Sequence, residues 1–309
     1  MDVSKLSETI YQKLLSKKTK EKSEQVVLWI ALVSFLIHLL MIGLIHFNVI
    51  TINDPSNLFK NPIAAIYTPF SFILVYEVYL LIYYLPKSTS IYVTKQYEII
   101  ALIIIRRLFK DLSDLSLSSN WFNIKNDLQF TYDLLASVLL FYLIYLFHVQ
   151  RTRVYRTFQN NKNHSSSISK FIKAKKWIAT ALVPILLTLA IYSFLNWSIG
   201  IFQPFKDNAI SFKNINNIFF EQFFNILIIA EVVLLLFSFF HTDEFHKVIR
   251  NSGFIISTIL IRISFSVDGI INNILIVTAV LFGLSILFIH NKFEKKLAEK
   301  FQENNEIEV

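Results

Sequence analysis

Glu77, Arg107, Glu231 and Arg262 each interrupt a stretch made almost wholly of Ile, Leu, Val, Phe and Tyr. An ionised side chain in such surroundings is costly unless a partner or water meets it, roughly 2.5–3.5 kcal/mol for a central Arg on insertion scales. A glutamate and an arginine can satisfy each other there, because the guanidinium fork holds a carboxylate through two parallel hydrogen bonds. The chemistry open to these four residues is therefore of two kinds. They can lock helices together as ion pairs, or they can line a polar path for an ion or small solute. Arg106 and Asp133 extend the set. Arg106 points about 100° away from Arg107 around a helix, and Asp133 stands near the expected outer end of a later apolar run, so both are candidate charges at an outer mouth.

Other candidate chemistry is thinner. His241-Thr242-Asp243-Glu244-Phe245-His246 gathers two imidazoles and two carboxylates, but metal-binding helices space their histidines by four and here the spacing is five. The segment reads as a solvated connection. His148 and His290 close two apolar runs, where a cation favours the C-terminal helix dipole. No phosphate-binding loop, dinucleotide fingerprint, nucleophile elbow or zinc-protease signature occurs. The sequence thus predicts neither an enzyme nor a metal or cofactor site.

The elements that must position these charges follow from composition. Of 309 residues, 54% are hydrophobic and only 17% charged, and 30 are Phe. A soluble chain of this length needs more charge to coat its surface. The absence of Cys excludes disulfides, thiolate metal sites and cysteine nucleophiles. A helix crossing the hydrocarbon needs about 20 apolar residues, and six runs qualify: Val26 to Val49, Ile63 to Leu85, Leu128 to Val149, Trp177 to Phe202, Ile218 to Phe240 and Ile274 to Ile289. Two weaker runs, Tyr97 to Phe109 and Phe254 to Val267, contain the arginines.

Charge distribution sets the expected topology. With eight spans and the N-terminus inside, 22 of the 30 Lys and Arg fall in cytoplasmic segments, as retention of basic residues on that side demands. The net charge of +8 is thus a matter of topology, and nucleic acid is not an expected partner. Leu6, Ile10 and Leu14, and again Phe293, Leu297 and Phe301, recur every four residues, which suits tails lying at the headgroups.

The two halves resemble each other. Leu74 to Leu81 lines up with Ile228 to Leu235 around Glu77 and Glu231, and Trp29-Ile30-Ala31 recurs as Trp177-Ile178-Ala179. Arg107 follows Glu77 by thirty residues and Arg262 follows Glu231 by thirty-one, with Asp114 and Asp268 beyond. An even number of spans per unit makes such repeats parallel. Placing the turns near Tyr92 and His246 puts each Glu at the depth of its Arg, predicting one intramembrane pair per repeat.

The expected protein is an all-α, eight-span protein of the inner cell membrane with both termini cytoplasmic. Its segments are an amphipathic 1–25, a first four-helix repeat at 26–149, a basic linker at 150–176, a second repeat at 177–290 and a tail at 291–309. The expected function is permeation of an ion or small solute past the Glu–Arg pairs. The alternative is a non-transporting subunit or scaffold in which the pairs only fix the bundle, with a second copy or another protein docking through the basic linker.

Overall fold

A computed structural model describes residues 3–49, 62–113, 125–152, 164–202, 212–240, 244–267 and 269–307. Every regular element among them is helical: α1 (Val3–Leu14), α2 (Lys17–His46), a 3₁₀ turn (Pro62–Ile66), α3 (Tyr67–Tyr84), α4 (Thr89–Ser113), α5 (Lys125–Thr152), α6 (His164–Phe202), α7 (Phe212–Phe239), α8 (Phe245–Ser264) and α9 (Ile270–Ile307). Five stretches are long and apolar enough to cross a membrane, within Glu8–His46, Asp127–Thr152, Ser169–Tyr192, Gln222–Phe239 and Ile270–Lys300. The apolar α3 is shorter. The two weak runs at 97–109 and 254–267 are helical too, inside α4 and α8. The architecture is that of a helical, multi-pass membrane protein.

Local signals explain the ends. Ser16 opens α2 by accepting a hydrogen bond from the Thr19 amide at 3.1 Å, which satisfies one orphan donor of the first turn. Asn48 closes it with φ 55°, the left-handed conformation that Asn tolerates, while the Val49 amide reaches back to the Leu44 carbonyl. Pro69 lies in the first turn of α3 rather than at its centre, where its missing amide costs nothing. Residues 164–176 of the linker are helical and continuous with α6, and the tail continues α9 to Ile307; the remaining linker residues, 153–163, lie outside the described set.

The surface of α2 shows what solvent these helices meet. Leu28, Trp29, Leu32, Leu36 and Leu40 are all exposed, Trp29 by 67%. A continuous apolar face of this size is lipid-facing rather than water-facing.

The chain divides into two compact units, each drawn from both sequence halves. The first comprises Met1–Tyr83, Leu102–Leu134 and Trp177–Leu227; the second comprises Tyr84–Ala101, Leu135–Lys176 and Ile228–Val309. In the first unit, α2 and α3 are tied by Tyr76 donating to Glu24 at 2.9 Å and by His38 against Thr68 at 2.5 Å. Tyr79 also caps α1 by donating to the Leu14 carbonyl. In the second unit, α8 and α9 form the core. Ile276, Val280, Gly283 and Leu287 repeat every three or four residues along the buried stripe of α9. Gly253, Phe254, Ser257, Thr258, Ile261 and Ser264 are the buried residues of α8.

Tyr97 of α4 enters this core with its ring fully buried, edge-on to Phe147 at 5.0 Å. Its hydroxyl pairs with Ser257 at 2.7 Å, and Ser257 in turn donates to the Ala279 carbonyl at 2.6 Å. The hydroxyl needs Gly283 beneath it: a Cβ there would lie 1.9 Å from Tyr97 Oη. Gly283→Ala is expected to lower stability by about 1–3 kcal/mol through overpacking. Gly43→Ala, where nothing lies within 4 Å, is expected to leave the thermal midpoint in detergent unchanged or raised. Equal midpoints for the two variants would remove Tyr97 from its place over Gly283.

Candidate functional site

The two hairpins that carry the charges turn earlier than the sequence suggests. The α3–α4 connection falls at 85–88, not at Tyr92, and α8 begins at Phe245, ahead of His246. Glu77 then stands seven residues before the end of α3, whereas Arg107 stands eighteen after the start of α4. Glu231 and Arg262 stand eight and seventeen residues from their ends. The counts from the connections are unequal in both hairpins, so equal depth of Glu and Arg does not follow from chain position.

Arg107 meets Asp133. Its Nε lies 2.5 Å from Asp133 Oδ2, with the N–H not aimed along the contact, so the pair is held by charge more than by hydrogen-bond alignment. Gln129 donates to the other carboxylate oxygen at 2.6 Å. Asp133 is fully buried, so the residue expected at an open outer mouth is an internal partner. Arg106 and Glu77, both half-buried, belong to the same first unit. Arg262 lies half-buried in the last turn of α8, in the second unit with Glu231.

Glu231 is the most developed of these positions. It is 4% exposed. Tyr92 and Gln96, one turn apart on α4, both donate to Oε1, the tyrosine hydroxyl at 2.6 Å. Thr258 of α8 donates to Oε2 at 2.9 Å. All three donors are neutral. They satisfy the oxygens, as a buried carboxylate requires, yet bring no formal countercharge.

Beside this carboxylate lies a cavity of about 40 Å³, lined among others by Tyr92, Lys175, Glu231, Ser238, Asn251 and Thr258. That is room for a few waters or one small ion. Lys175, itself buried, donates to the Lys87 carbonyl at 3.1 Å. The cavity therefore offers a carboxylate, an ammonium, four hydroxyls and an amide within apolar walls.

Neutral residues made this site invisible to a search for charges. Tyr92 served only as a turn marker in the sequence, and Gln96 and Thr258 drew no notice. The i, i+4 spacing of Tyr92 and Gln96 is the one available signal, since it places two donors on one helical face. A second cluster joins residues that the sequence reads separately, His246 in a solvated connection and His290 at a helix end. His246 lies 2.9 Å from Glu294 and stacks on His290 with centroids 5.3 Å apart. Arg250 donates to His290 Nε2 at 2.9 Å. Burial draws the Arg250 guanidinium below its ordinary range, and the Glu294 and Glu244 carboxylates draw it back. His241 and Asp243 lie outside the described residues.

Comparison of the chain with protein-family models, curated proteins and solved structures gives no match.

The Arg107–Asp133 pair yields a stability prediction. Asp133→Asn strands a guanidinium and is expected to cost about 3–5 kcal/mol, the usual effect of breaking a buried pair from one side. Arg107→Gln with Asp133→Asn should recover part of that loss. A double-mutant cycle in detergent measures the coupling, and additive losses would mean that the two charges do not interact.

Proposed function

We propose that this chain is a multi-pass protein of the cell membrane that lets an ion or small solute cross, with a proton or small monovalent cation held transiently at Glu231. The observation that carries this reading is the Glu231 carboxylate, buried, met by neutral donors and bordering a polar cavity. An acid at membrane depth facing a cavity is the usual mark of an ion pathway. A carboxylate whose donors bring no charge keeps its attraction for a cation, strengthened by the low dielectric around it. Glu77, Arg107 with Asp133, Arg106 and Arg262 are the other charged positions from which a path would be built.

The finer topology belongs to the same reading. Eight spans with cytoplasmic termini keep most basic residues on one side. Two parallel four-helix repeats account for the matching order of Glu77 with Arg107 and Glu231 with Arg262 along the chain.

A second reading has its own support. The Arg107–Asp133 pair joins α4 to α5 with both partners shielded, as expected of a non-transporting subunit whose charges only lock the bundle. The basic 150–176 segment would then recruit a second copy or another protein.

Flux in liposomes containing the purified chain separates the two. Proton or monovalent-cation flux in the wild type is expected to fall about tenfold or more in Glu231→Gln, the loss of a charge that stabilises the passing cation. Glu231→Gln must elute from a sizing column as the wild type does. Flux unaffected by this change would place the path elsewhere, and no flux of protons, monovalent cations or halides in the wild type would favour the subunit.

A further inference from the structure

We propose that His246, His290 and Glu294, joined by Glu244, form a binding site for a first-row divalent cation of the zinc type. The site lies where the first turn of α8 meets α9 just beyond its apolar stretch, in the second unit. Two imidazoles and carboxylates are the ligand set such ions select over Mg²⁺ or Ca²⁺.

The distances suit it. Ligand bonds of about 2.0–2.1 Å in a tetrahedron put neighbouring ligand atoms about 3.3 Å apart. His246 Nε2 stands 2.9 Å from Glu294 Oε1 and 3.4 Å from Glu244 Oε2, which brackets that edge. His290 Nε2 stands 3.9 Å from Glu294 Oε1. The ligand atoms of His246, His290 and Glu294 all lie within 4.8 Å of one another. His290 and Glu294 are one turn apart on α9, so one helical face presents both. The His246 ring lies nearly parallel to those of His290 and Phe293, with centroids 5.3 and 6.2 Å away.

The protonation pattern points the same way. Arg250 can only donate, so His290 Nε2, 2.9 Å from Arg250 Nη1, must carry a lone pair. That is the form of imidazole that ligates a metal. The ring proton then sits on Nδ1, which is buried without an acceptor. Such an orphan in a residue only 7% exposed needs a reason, and presentation of Nε2 toward the cluster supplies one. Arg250 is the resident cation, acting on Glu294 and Glu244 electrostatically, and a divalent ion would take its place.

Arg250 also links this site to the cavity. Its Nη2 and Nε donate to Asn251 Oδ1 at 3.1 and 3.3 Å, and Asn251 lines the space beside Glu231. Displacing the guanidinium would release that wall residue.

The test measures binding and is independent of transport. The full chain in detergent, stripped with a chelator, is titrated with Zn²⁺ by calorimetry and with Co²⁺ by absorption. One ion per chain is expected, with the intense visible bands of four-coordinate Co²⁺. Glu294→Gln and His246→Ala are each expected to weaken Zn²⁺ binding more than about a hundredfold, beyond the effect of losing a group that merely supports a ligand. His148→Ala should leave it unchanged. Arg250→Gln keeps every ligand and removes the competitor, so it should bind more tightly, and it decides the matter if the ligand variants fail to fold. No stoichiometric uptake by the wild type, uptake surviving both ligand changes, or unchanged affinity in Arg250→Gln would each overturn the site.

Discussion

A carboxylate in an apolar interior must be met by donors, and the second unit is organised around meeting Glu231. Leaving even a neutral polar group unpaired there costs several kcal/mol. The donors come from α4 and α8, so one side chain on α7 sets the axial register of two other helices. The next residues along continue the arrangement. Gln96 and Thr258 serve α7, while their neighbours Tyr97 and Ser257 bond to each other and reach the backbone of α9 at Ala279. Adjacent residues on a helix differ by about 100° in direction. Two adjacent pairs thus bind α4 and α8 to different partners at the same level.

The first unit solves the same problem with opposite charges. Asp133 receives a guanidinium and an amide, and the sum of charges is near zero. Glu231 receives only hydroxyl and amide donors. Both satisfy hydrogen bonding, but they differ in what remains. A neutralised pair has little further attraction for a mobile ion, whereas a carboxylate held by dipoles retains its field. This electrostatic difference, rather than the presence of acids as such, separates Glu231 from Asp133.

The sequence makes the helical class, the apolar spans and the positions of these acids legible, because length and hydropathy depend only on composition within a window. Partners are a different matter. Whether Glu231 meets Arg262 or Thr258, one turn apart on α8, depends on where that helix starts, and α8 begins at Phe245, ahead of His246. Hydrophobic runs do not mark that boundary sharply, since α8 begins with Phe245 and Val248 as its polar residues His246, Lys247 and Arg250 alternate with them. The Glu231 donors are uncharged residues of ordinary frequency, so no compositional signal exposes them. His246 and Glu294 lie 48 positions apart, and only the packing of α8 on α9 brings them within reach.

The scarcity of glycine explains why so much rests on polar contacts. Between helices in lipid there is no hydrophobic driving force, because the tails are as apolar as Leu, and close association usually relies on small residues. This chain has five Gly against 30 Phe, and bulky surfaces pack in many registers with similar energy. Specificity must then come from contacts that tolerate only one register. Hydrogen bonds do this, since a shift by one residue breaks them outright while a shifted Leu finds another groove. Gly283 fits the same logic: a small residue stands where the Tyr97 hydroxyl must come close enough to reach Ser257. The polar groups inside the membrane therefore serve two ends at once. They select the helix register, and at Glu231 that selection leaves a carboxylate beside open space.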